Sequence, residues 1–216
     1  MTLVSEQRRK VAEFLLRIKA IQLRPTDPFT WASGLRSPIY CDNRTILSHP
    51  TVRTFVRQMA SELIERRFGK PDGIAGAATG GIALGALVAQ ELGLPFCYVR
   101  SGAKAHGTGQ QVEGDLETMR NVVVIEDLIS TGKSSLSAVH ALRESGLEVK
   151  GLLAIFSYGF ESSKDKFEEA KCPFEVLTDY CTMLEQAKAE GYVSDIQVSL
   201  LEAWSKDPKA WSEQQA

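Results

Sequence analysis

The hydrophobic and polar positions of this chain alternate between two kinds of pattern. Apolar residues at helical spacing predict amphipathic helices at about 11–18, 52–64, 82–92 and 136–142. Short apolar runs between turn residues predict strands at 73–76, 95–100, 122–125, 151–157 and 174–178. Strands that alternate with helices favour an α/β fold, with a central, mainly parallel sheet flanked by helices.

The run at 122–125 leads directly into two acids, Glu126 and Asp127, and then into a turn of small polar residues. The turn, 130–134, reads Ser-Thr-Gly-Lys-Ser and stands before a helical pattern. Backbone N–H groups and hydroxyls at a helix N-terminus stabilise a bound phosphate. The carboxyl ends of strands are where open α/β sheets bind ligands. Carboxylates for sugar hydroxyls beside a phosphate cradle indicate a phosphorylated sugar as the ligand.

Two other interpretations of this segment are weaker. Gly132-Lys133-Ser134 looks like the end of a P-loop, as in a nucleotide kinase or phosphatase, but that motif needs a glycine where Asp127 stands. A buried strand, turn and helix without a ligand is also possible in principle. Consecutive acids at a buried strand end are costly without a partner, however, so a ligand-binding role is favoured.

Length and composition favour an ordinary water-soluble domain. The chain has 216 residues, which predicts a single domain, with about 1–50 forming an N-terminal helix and a small hood. The net charge of −2 gives no sign of a nucleic-acid partner. Four cysteines without metal-type spacing fit reduced thiols, with Cys97 as a core residue. No apolar run is long enough to span a membrane, so we expect a cytoplasmic protein.

Residues 101–118 break the alternation of strands and helices. They contain four glycines and show no periodicity. An irregular run of this length inside a compact domain is usually a functional lid, although a disordered surface loop is the alternative. Three groups that can carry positive charge, Arg100, Lys104 and His106, lie at its start. The pattern therefore predicts a mobile lid that closes over an anionic substrate.

Three blocks of sequence carry a resemblance to a known family. The segment around Glu126 and Asp127 resembles the ribose-phosphate loop of the type I phosphoribosyltransferases. The order Arg100, Lys104, His106, Gly resembles the catalytic loop of the orotate phosphoribosyltransferases within that family. The Phe-Thr, Ser-Gly and Ser-Pro pairs of 29–38 resemble that family's N-terminal segment. The three blocks agree in order and spacing, and the resemblance covers roughly residues 25 to 195.

The resemblance implies a fold and a reaction. The fold is that of the type I phosphoribosyltransferases. The reaction is a magnesium-dependent transfer of ribose 5-phosphate from phosphoribosyl pyrophosphate (PRPP) to orotate, which gives orotidine 5′-monophosphate and pyrophosphate in pyrimidine (UMP) biosynthesis. The resemblance also implies a homodimer in which the lid serves the neighbouring subunit's site. Neither nucleic acid nor a membrane is expected as a partner.

The resemblance also implies roles for individual residues. The residues expected in catalysis are Lys104, His106, Arg100 and Asp127. PRPP is expected to contact Arg100, Lys104, His106, Glu126, Asp127, Leu128, Ile129, Ser130, Thr131, Gly132, Lys133, Ser134, Thr79, Gly80 and Gly81. Orotate is expected to contact Ser130, Arg44 and Tyr40. Magnesium is expected to be held mainly by PRPP, without a direct protein ligand.

The chain departs from the pattern of some family members at three places. Ser101 stands where many members have a second lysine, and Thr79-Gly80 stands where some have Tyr-Lys. The strand end at 155–159 lacks an arginine that contacts orotate in some members. We hypothesise that Arg44 instead pairs with the orotate carboxylate as a two-pronged donor. The alternative is that Arg44 is a surface or interface charge.

Two other kinds of protein could also bind PRPP through such a loop. A purine phosphoribosyltransferase would share the ribose-phosphate loop but is disfavoured by the other two blocks. A regulator that binds PRPP as an effector would need a nucleic-acid-binding face, of which the sequence shows no sign. The tail 203–216 has no assigned role, but at least one of Trp204 and Trp211 is expected to be packed rather than exposed.

Overall fold

A computed structural model describes most of this chain. The described residues are 3–31, 33–102 and 111–215. Among them, no helix has both the length and the apolar character needed to cross a membrane.

The described residues form eight α-helices, ten strands and one 3₁₀ helix. The α-helices are α1 (Leu3–Arg17), α2 (Pro50–Phe68), α3 (Gly80–Leu92), α4 (Lys133–Glu144), α5 (Glu161–Glu169), α6 (Tyr180–Ala189), α7 (Asp195–Lys206) and α8 (Pro208–Glu213). The strands are β1 (Ile21–Leu23), β2 (Phe29–Thr30), β3 (Arg36–Ser37), β4 (Ile39–Cys41), β5 (Gly73–Ala77), β6 (Phe96–Val99), β7 (Val112–Glu113), β8 (Asn121–Ile129), β9 (Glu148–Ser157) and β10 (Phe174–Asp179). The 3₁₀ helix spans Asn43–Ser48.

These elements belong to two compact units. The central unit is continuous and comprises Pro50–Leu177. The terminal unit combines Met1–His49 with Thr178–Ala216. The hood expected at about 1–50 corresponds to the N-terminal part of the terminal unit. The sequence patterns gave no indication that 178–216 joins it.

The sheet has the strand order β10-β9-β8-β5-β6-β7. β5 runs parallel to β6 and β8, and β8 runs parallel to β9, whereas β7 is an antiparallel edge strand. Helices α2, α3 and α4 pack on this sheet. The predicted α/β fold with a mainly parallel central sheet is therefore confirmed.

The interior of the sheet explains why β8 forms where the sequence predicts it. Val122, Val123, Val124 and Ile125 are fully buried, and such β-branched side chains pack well on a pleated surface. Cys97, on β6, is also fully buried, which confirms its predicted core position. Burial raises the pKa of the Cys97 thiol to about 11, so this group is uncharged at neutral pH.

Two strand boundaries differ from the sequence prediction. β8 does not end before the acids but continues to Ile129, because Glu126 and Leu128 still pair with β9 through their backbones. The predicted lid 101–118 also contains regular structure, since β7 pairs Val112 with Val99 and Glu113 with Tyr98. Backbone pairing at a sheet edge leaves little trace in a two-residue sequence pattern.

In the terminal unit, the N-terminal helix packs against a helix from the C-terminal part of the chain. α1 lies on α6, and Val11 and Leu15 of α1 are fully buried. The Nη2 atom of Arg8 lies 2.6 Å from the Oδ2 atom of Asp179. The other carboxylate oxygen of Asp179 accepts from the backbone N–H of Thr182 at 2.9 Å and so caps α6.

The tail of the chain completes the terminal unit. Trp204 is fully buried and Trp211 is 7% exposed, which confirms the expectation that the tail tryptophans are packed. The ring of Trp204 lies 5.8 Å from Trp31, edge to face, and 5.4 Å from Tyr180. Aromatic pairs at these separations add to the stability gained from burial alone.

Candidate active site

The turn between β8 and α4 presents the start of a helix to an open cavity. Gly132 precedes α4 with φ near 75°, a left-handed conformation that favours glycine, and no side chain caps the helix at this residue. The carbonyls of the turn are engaged elsewhere: that of Ile129 accepts from the N–H of Tyr158 at 3.1 Å, and that of Thr131 accepts from the Nζ atom of Lys166 at 3.2 Å. The start of α4 therefore has the polarity of an anion site.

A cavity of about 400 Å³ opens beside this turn. Its lining residues are Ala77, Ala78, Val99, Arg100, Ser101, Thr131, Lys133, Ser134, Ser137 and Ala138. Two cations and several hydroxyls thus face one space, which suits a phosphate-bearing ligand.

The cavity brings together four of the predicted site residues, namely Arg100, Thr131, Lys133 and Ser134. Ser101 and Ser137 were missed. Ser137 follows Ser134 by three positions and therefore lies on the same face of α4, so helical spacing alone could have identified it.

The two acids of β8 have different surroundings. Glu126 is 5% exposed; its carboxylate accepts from the backbone N–H of Asp127 and from the Oγ atom of Ser135, both at 3.0 Å. Burial, followed by the neighbouring Asp127 carboxyl, raises the pKa of Glu126 from 4.5 to about 8. Asp127 is half-buried. Both acids were expected to contact PRPP, and these contacts stay predictions; the Glu126 carboxyl is enclosed and already hydrogen-bonded, whereas Asp127 is more exposed.

The glycines after β5 allow close approach to these acids. A Cβ atom on Gly80 would overlap the carboxylate of Asp127, and one on Gly81 would overlap the carbonyl oxygen of Ile125. The peptide bond between Ala78 and Thr79 is cis, and Thr79 is exposed. The predicted 79–81 segment and the predicted acids are therefore neighbours, and the absence of side chains at the two glycines makes this possible.

Arg100 stands at the carboxyl end of β6, where the predicted lid begins. Its Nη1 atom lies 3.6 Å from the Oε1 atom of Glu113, and its backbone N–H and C=O both bond to Gln111 at 2.9 Å. These contacts hold the base of the segment at the cavity. Lys104 and His106 lie outside the described residues, so their roles stay predictions.

Three further residues that were expected to contact PRPP differ in their burial. Ile129 is fully buried, so its side chain packs in the core and cannot reach a ligand. Leu128 and Ser130 are half-buried at the end of the strand. A contact of Ile129 with PRPP would therefore involve its backbone, and the contacts of all three residues stay predictions.

The candidate orotate residues Tyr40 and Arg44 belong to the terminal unit. Tyr40 is 40% exposed, and its ring lies 5.6 Å from that of Phe29. Arg44 donates from Nε and Nη2 to the two carboxylate oxygens of Asp42, at 2.7 and 2.9 Å. The hydrogen bond with Arg44 lowers the pKa of Asp42, so the pair is charged at neutral pH. One edge of the Arg44 guanidinium is thus already used within the chain.

At the end of β9, aromatic rings stand where some family members carry an arginine. The rings of Tyr158 and Phe160 are stacked at 5.5 Å, and Phe156 meets Tyr158 edge to face at 5.5 Å. Tyr158 is 5% exposed. This strand end therefore supplies packing in place of a positive charge.

The side chains near the cavity determine how the protein could hold the expected magnesium ion. Within the described part of the chain, no three His, Cys, Asp or Glu side chains are grouped to hold a metal. Magnesium commonly takes one or two carboxylates together with phosphate oxygens and several waters. Asp127, beside the Gly80 turn, fits an ion that is carried by a diphosphate and reached through its water shell.

The mainly parallel sheet, the acidic strand end and the small polar turn before α4 agree with the phosphoribosyltransferase class. Consistent with this geometry, the phosphoribosyl transferase domain family matches residues 42–193. An orotate phosphoribosyltransferase from Phocaeicola vulgatus is 53% identical over 200 residues, which cover 93% of this chain and 94% of that protein. The chain therefore belongs to the orotate phosphoribosyltransferase family.

Solved structures agree on the fold. An orotate phosphoribosyltransferase from Aeropyrum pernix is similar with a TM-score of 0.72 at 24% identity, covering 85% of this chain and 99% of that one. UMP synthase from Leishmania donovani is similar with a TM-score of 0.78 at 23% identity. The match covers 93% of this chain but only 42% of that longer protein.

Proposed function

We propose that this chain transfers the 5-phosphoribosyl group of PRPP to orotate, giving orotidine 5′-monophosphate and pyrophosphate in pyrimidine biosynthesis. The observation that carries the proposal is the cavity that combines Arg100 and Lys133 with the uncapped start of α4. Asp127, near the carboxyl end of β8 and shortly before this turn, supplies a carboxylate. The family membership of the chain supports orotate as the acceptor.

The 5-phosphate of PRPP is proposed to bind at the β8–α4 turn. Its recognition would use the backbone N–H groups of 131–134 and the hydroxyls of Thr131 and Ser134, which are groups that recognise a phosphate dianion. Lys133 adds a full charge at the cavity wall. Because the turn's carbonyls are occupied by Tyr158 and Lys166, they do not compete for the same space.

Asp127 is proposed to hold the ribose hydroxyls, with Glu126 as its support. The side-chain oxygens of Asp127 would accept hydrogen bonds from both hydroxyls, which would fix the ring for attack at C1. The carboxyl group of Glu126 accepts a hydrogen bond from the backbone N–H of Asp127, which fixes the backbone at the end of the strand. When bound, magnesium would neutralise charge on the diphosphate, with Asp127 reaching it through the ion's water shell.

The diphosphate is proposed to lie over 79–81 and under the lid. The bare backbone of Gly80 and Gly81 permits close approach of an anion. Arg100, Lys104 and His106 would stabilise the negative charge that develops on pyrophosphate as the bond to C1 breaks. Lid closure would also exclude water, which competes with orotate for the same carbon.

For orotate, we propose contacts with Ser130, Tyr40 and Arg44. Arg44 is proposed to bind the orotate carboxylate while its Nε and Nη2 atoms donate to Asp42. Asp42 then holds the guanidinium in a fixed direction, which lowers the entropy lost on binding.

Replacing Arg44 with alanine is expected to raise KM for orotate about tenfold, because a charged hydrogen bond contributes ~1.5–3 kcal/mol. The KM for PRPP should change less than twofold. Initial rates at varied concentrations of each substrate measure both constants. Arg120→Ala, at an exposed position, is the matched control and should leave both unchanged. Equal effects of Arg44→Ala on the two constants would show that Arg44 does not serve orotate.

The reaction itself is tested by the loss of orotate absorbance with PRPP, run with and without magnesium. Metal-dependent loss of orotate with one pyrophosphate released per orotate is the expected result. Turnover of a purine base instead of orotate would overturn the acceptor. PRPP binding without turnover of any base would favour a regulator.

We further propose that the protein acts as a cytoplasmic homodimer in which each lid serves the neighbouring subunit. This proposal rests on the lid's resemblance to the family's catalytic loop. Sedimentation of the same preparation tests it, since a monomer that retains full activity at all concentrations would exclude shared sites.

A further inference from the structure

The C-terminal helix α8 bonds directly to the hairpin formed by β2 and β3. The Oγ atom of Ser212 accepts a hydrogen bond from the backbone N–H of Arg36 at 2.9 Å. Ser212 is 8% exposed and the neighbouring Trp211 is 7% exposed, so the contact lies in a packed region. Loss of this acceptor would leave a buried backbone N–H without a hydrogen bond, and an unpaired buried N–H destabilises the local structure.

The hairpin in turn holds β4, which carries Tyr40. The indole Nε1 atom of Trp31 donates to the carbonyl of Ile39 at 3.1 Å, and the Oγ atom of Ser37 donates to the same carbonyl at 2.9 Å. On the next residue, the ring of Tyr40 packs against Phe29 of the hairpin. The hairpin therefore holds one carbonyl of β4 through two donors and contacts the ring of Tyr40 through Phe29.

Aromatic packing holds the tail in place against the hairpin. Trp31 of the hairpin meets Trp204 of α7 edge to face, and Trp204 also contacts Tyr180 of α6. The hydroxyl of Tyr180 donates to the carbonyl of Leu201 at 3.0 Å, which ties α6 to α7. The side chain of Asp207 accepts from the N–H of Ala210 and starts α8 directly after α7.

We propose that α8 is a positioning element for the acceptor substrate, with Ser212 as its positioning residue. Through Arg36 and the hairpin, Ser212 sets the position of Tyr40 without touching substrate. This inference rests on the proposed function, in which Tyr40 contacts orotate. It assigns a role to a tail that the sequence left unexplained.

The test compares Ser212→Ala with Ser212→Thr, which keeps the hydroxyl. Ser205→Ala is the matched control, because the Ser205 hydroxyl donates within its own helix, to the Glu202 carbonyl. Ser212→Ala is expected to raise KM for orotate roughly fivefold, the equivalent of one hydrogen bond, with KM for PRPP and kcat within twofold. Ser212→Thr should restore most of the affinity, and Ser205→Ala should match the wild type.

Hydrogen–deuterium exchange supplies a readout that is independent of activity. Ser212→Ala should speed exchange at 29–41 and leave Pro50–Leu177 unchanged.

If Ser212→Ala does not fold, Trp31→Phe removes the bond to Ile39 but keeps an aromatic ring, and it should give the same orotate-selective change. Equal changes in both KM values, or a lower melting temperature alone, would overturn the proposal. If the wild type does not convert orotate, the proposed function fails, whereas unchanged exchange at 29–41 would show separately that α8 does not hold the hairpin.

Discussion

Replacing Lys104 with alanine is expected to lower kcat by ~10²–10³, the usual cost of removing one well-placed charge from a closed site. The expected loss follows from the position of Lys104 in the segment after Arg100. Arg100 and Ser101 already line the cavity wall, so the segment that carries Lys104 begins at the substrate space. Negative charge develops on the departing pyrophosphate, and a lysine that meets it only in the closed state acts mainly on the transition state.

The measurement is steady-state kcat and KM, with circular dichroism to establish that the variant is folded. Lys70→Ala is the control, because it removes an exposed lysine of the central unit and should leave kcat unchanged. Lys104→Arg keeps the charge and should recover part of the loss. A folded Lys104→Ala protein with kcat within twofold of the wild type would refute the lid assignment.

Replacing Glu126 with glutamine is expected to stabilise the substrate-free protein by a few kcal/mol at pH 8 and much less at pH 5. Burial raises the pKa of Glu126 from 4.5 to about 8 in the folded chain, so the native state binds a proton that the unfolded state releases. The stability contributed by this protonated carboxyl is fully present below pH 4.5. It is lost as the pH rises towards 8, by at most about 1.4 kcal/mol per pH unit.

Urea unfolding at pH 5 and pH 8, without substrate or metal, measures this difference. Ser135→Ala provides a second test, because the Ser135 hydroxyl favours the charged carboxylate, and its removal should extend the loss of stability to higher pH. A difference between wild type and Glu126→Gln that is the same at both pH values would mean that Glu126 is already ionised in the native chain.

The sequence was sufficient for the sheet and for the turn that precedes α4, because both depend on local patterns. Four consecutive β-branched residues before a small polar turn predict a buried strand and an anion-binding helix start. The acids were harder to separate. Glu126 and Asp127 are adjacent and chemically alike, and only packing distinguishes them. The hydroxyl of Ser135, on α4, donates a hydrogen bond to the carboxyl group of Glu126.

Contacts between distant parts of the chain were not predictable from the sequence. Gly80 and Gly81 were assigned to an anion-binding turn, but their approach to Asp127 and Ile125 depends on how β5 and β8 pair. The bond between Ser212 and Arg36 joins residues far apart in sequence, and a single serine near the end of a helix carries no signal of it. The sequence suggested that Arg44 binds the orotate carboxylate, but its pairing with Asp42 became visible only in the structure.

The terminal unit's assembly from both ends of the chain has a consequence for synthesis in the cell. Helix α1, with its buried residues Val11 and Leu15, is synthesised before the central unit, but its packing partner α6 is made only after the central unit. At typical rates of ~5–20 residues per second, α1 waits on the order of ten seconds or more with an apolar face exposed. We therefore expect the nascent N-terminus to be the part of this protein most dependent on chaperones. Ribosome stalling after Leu177 should leave the terminal unit unfinished.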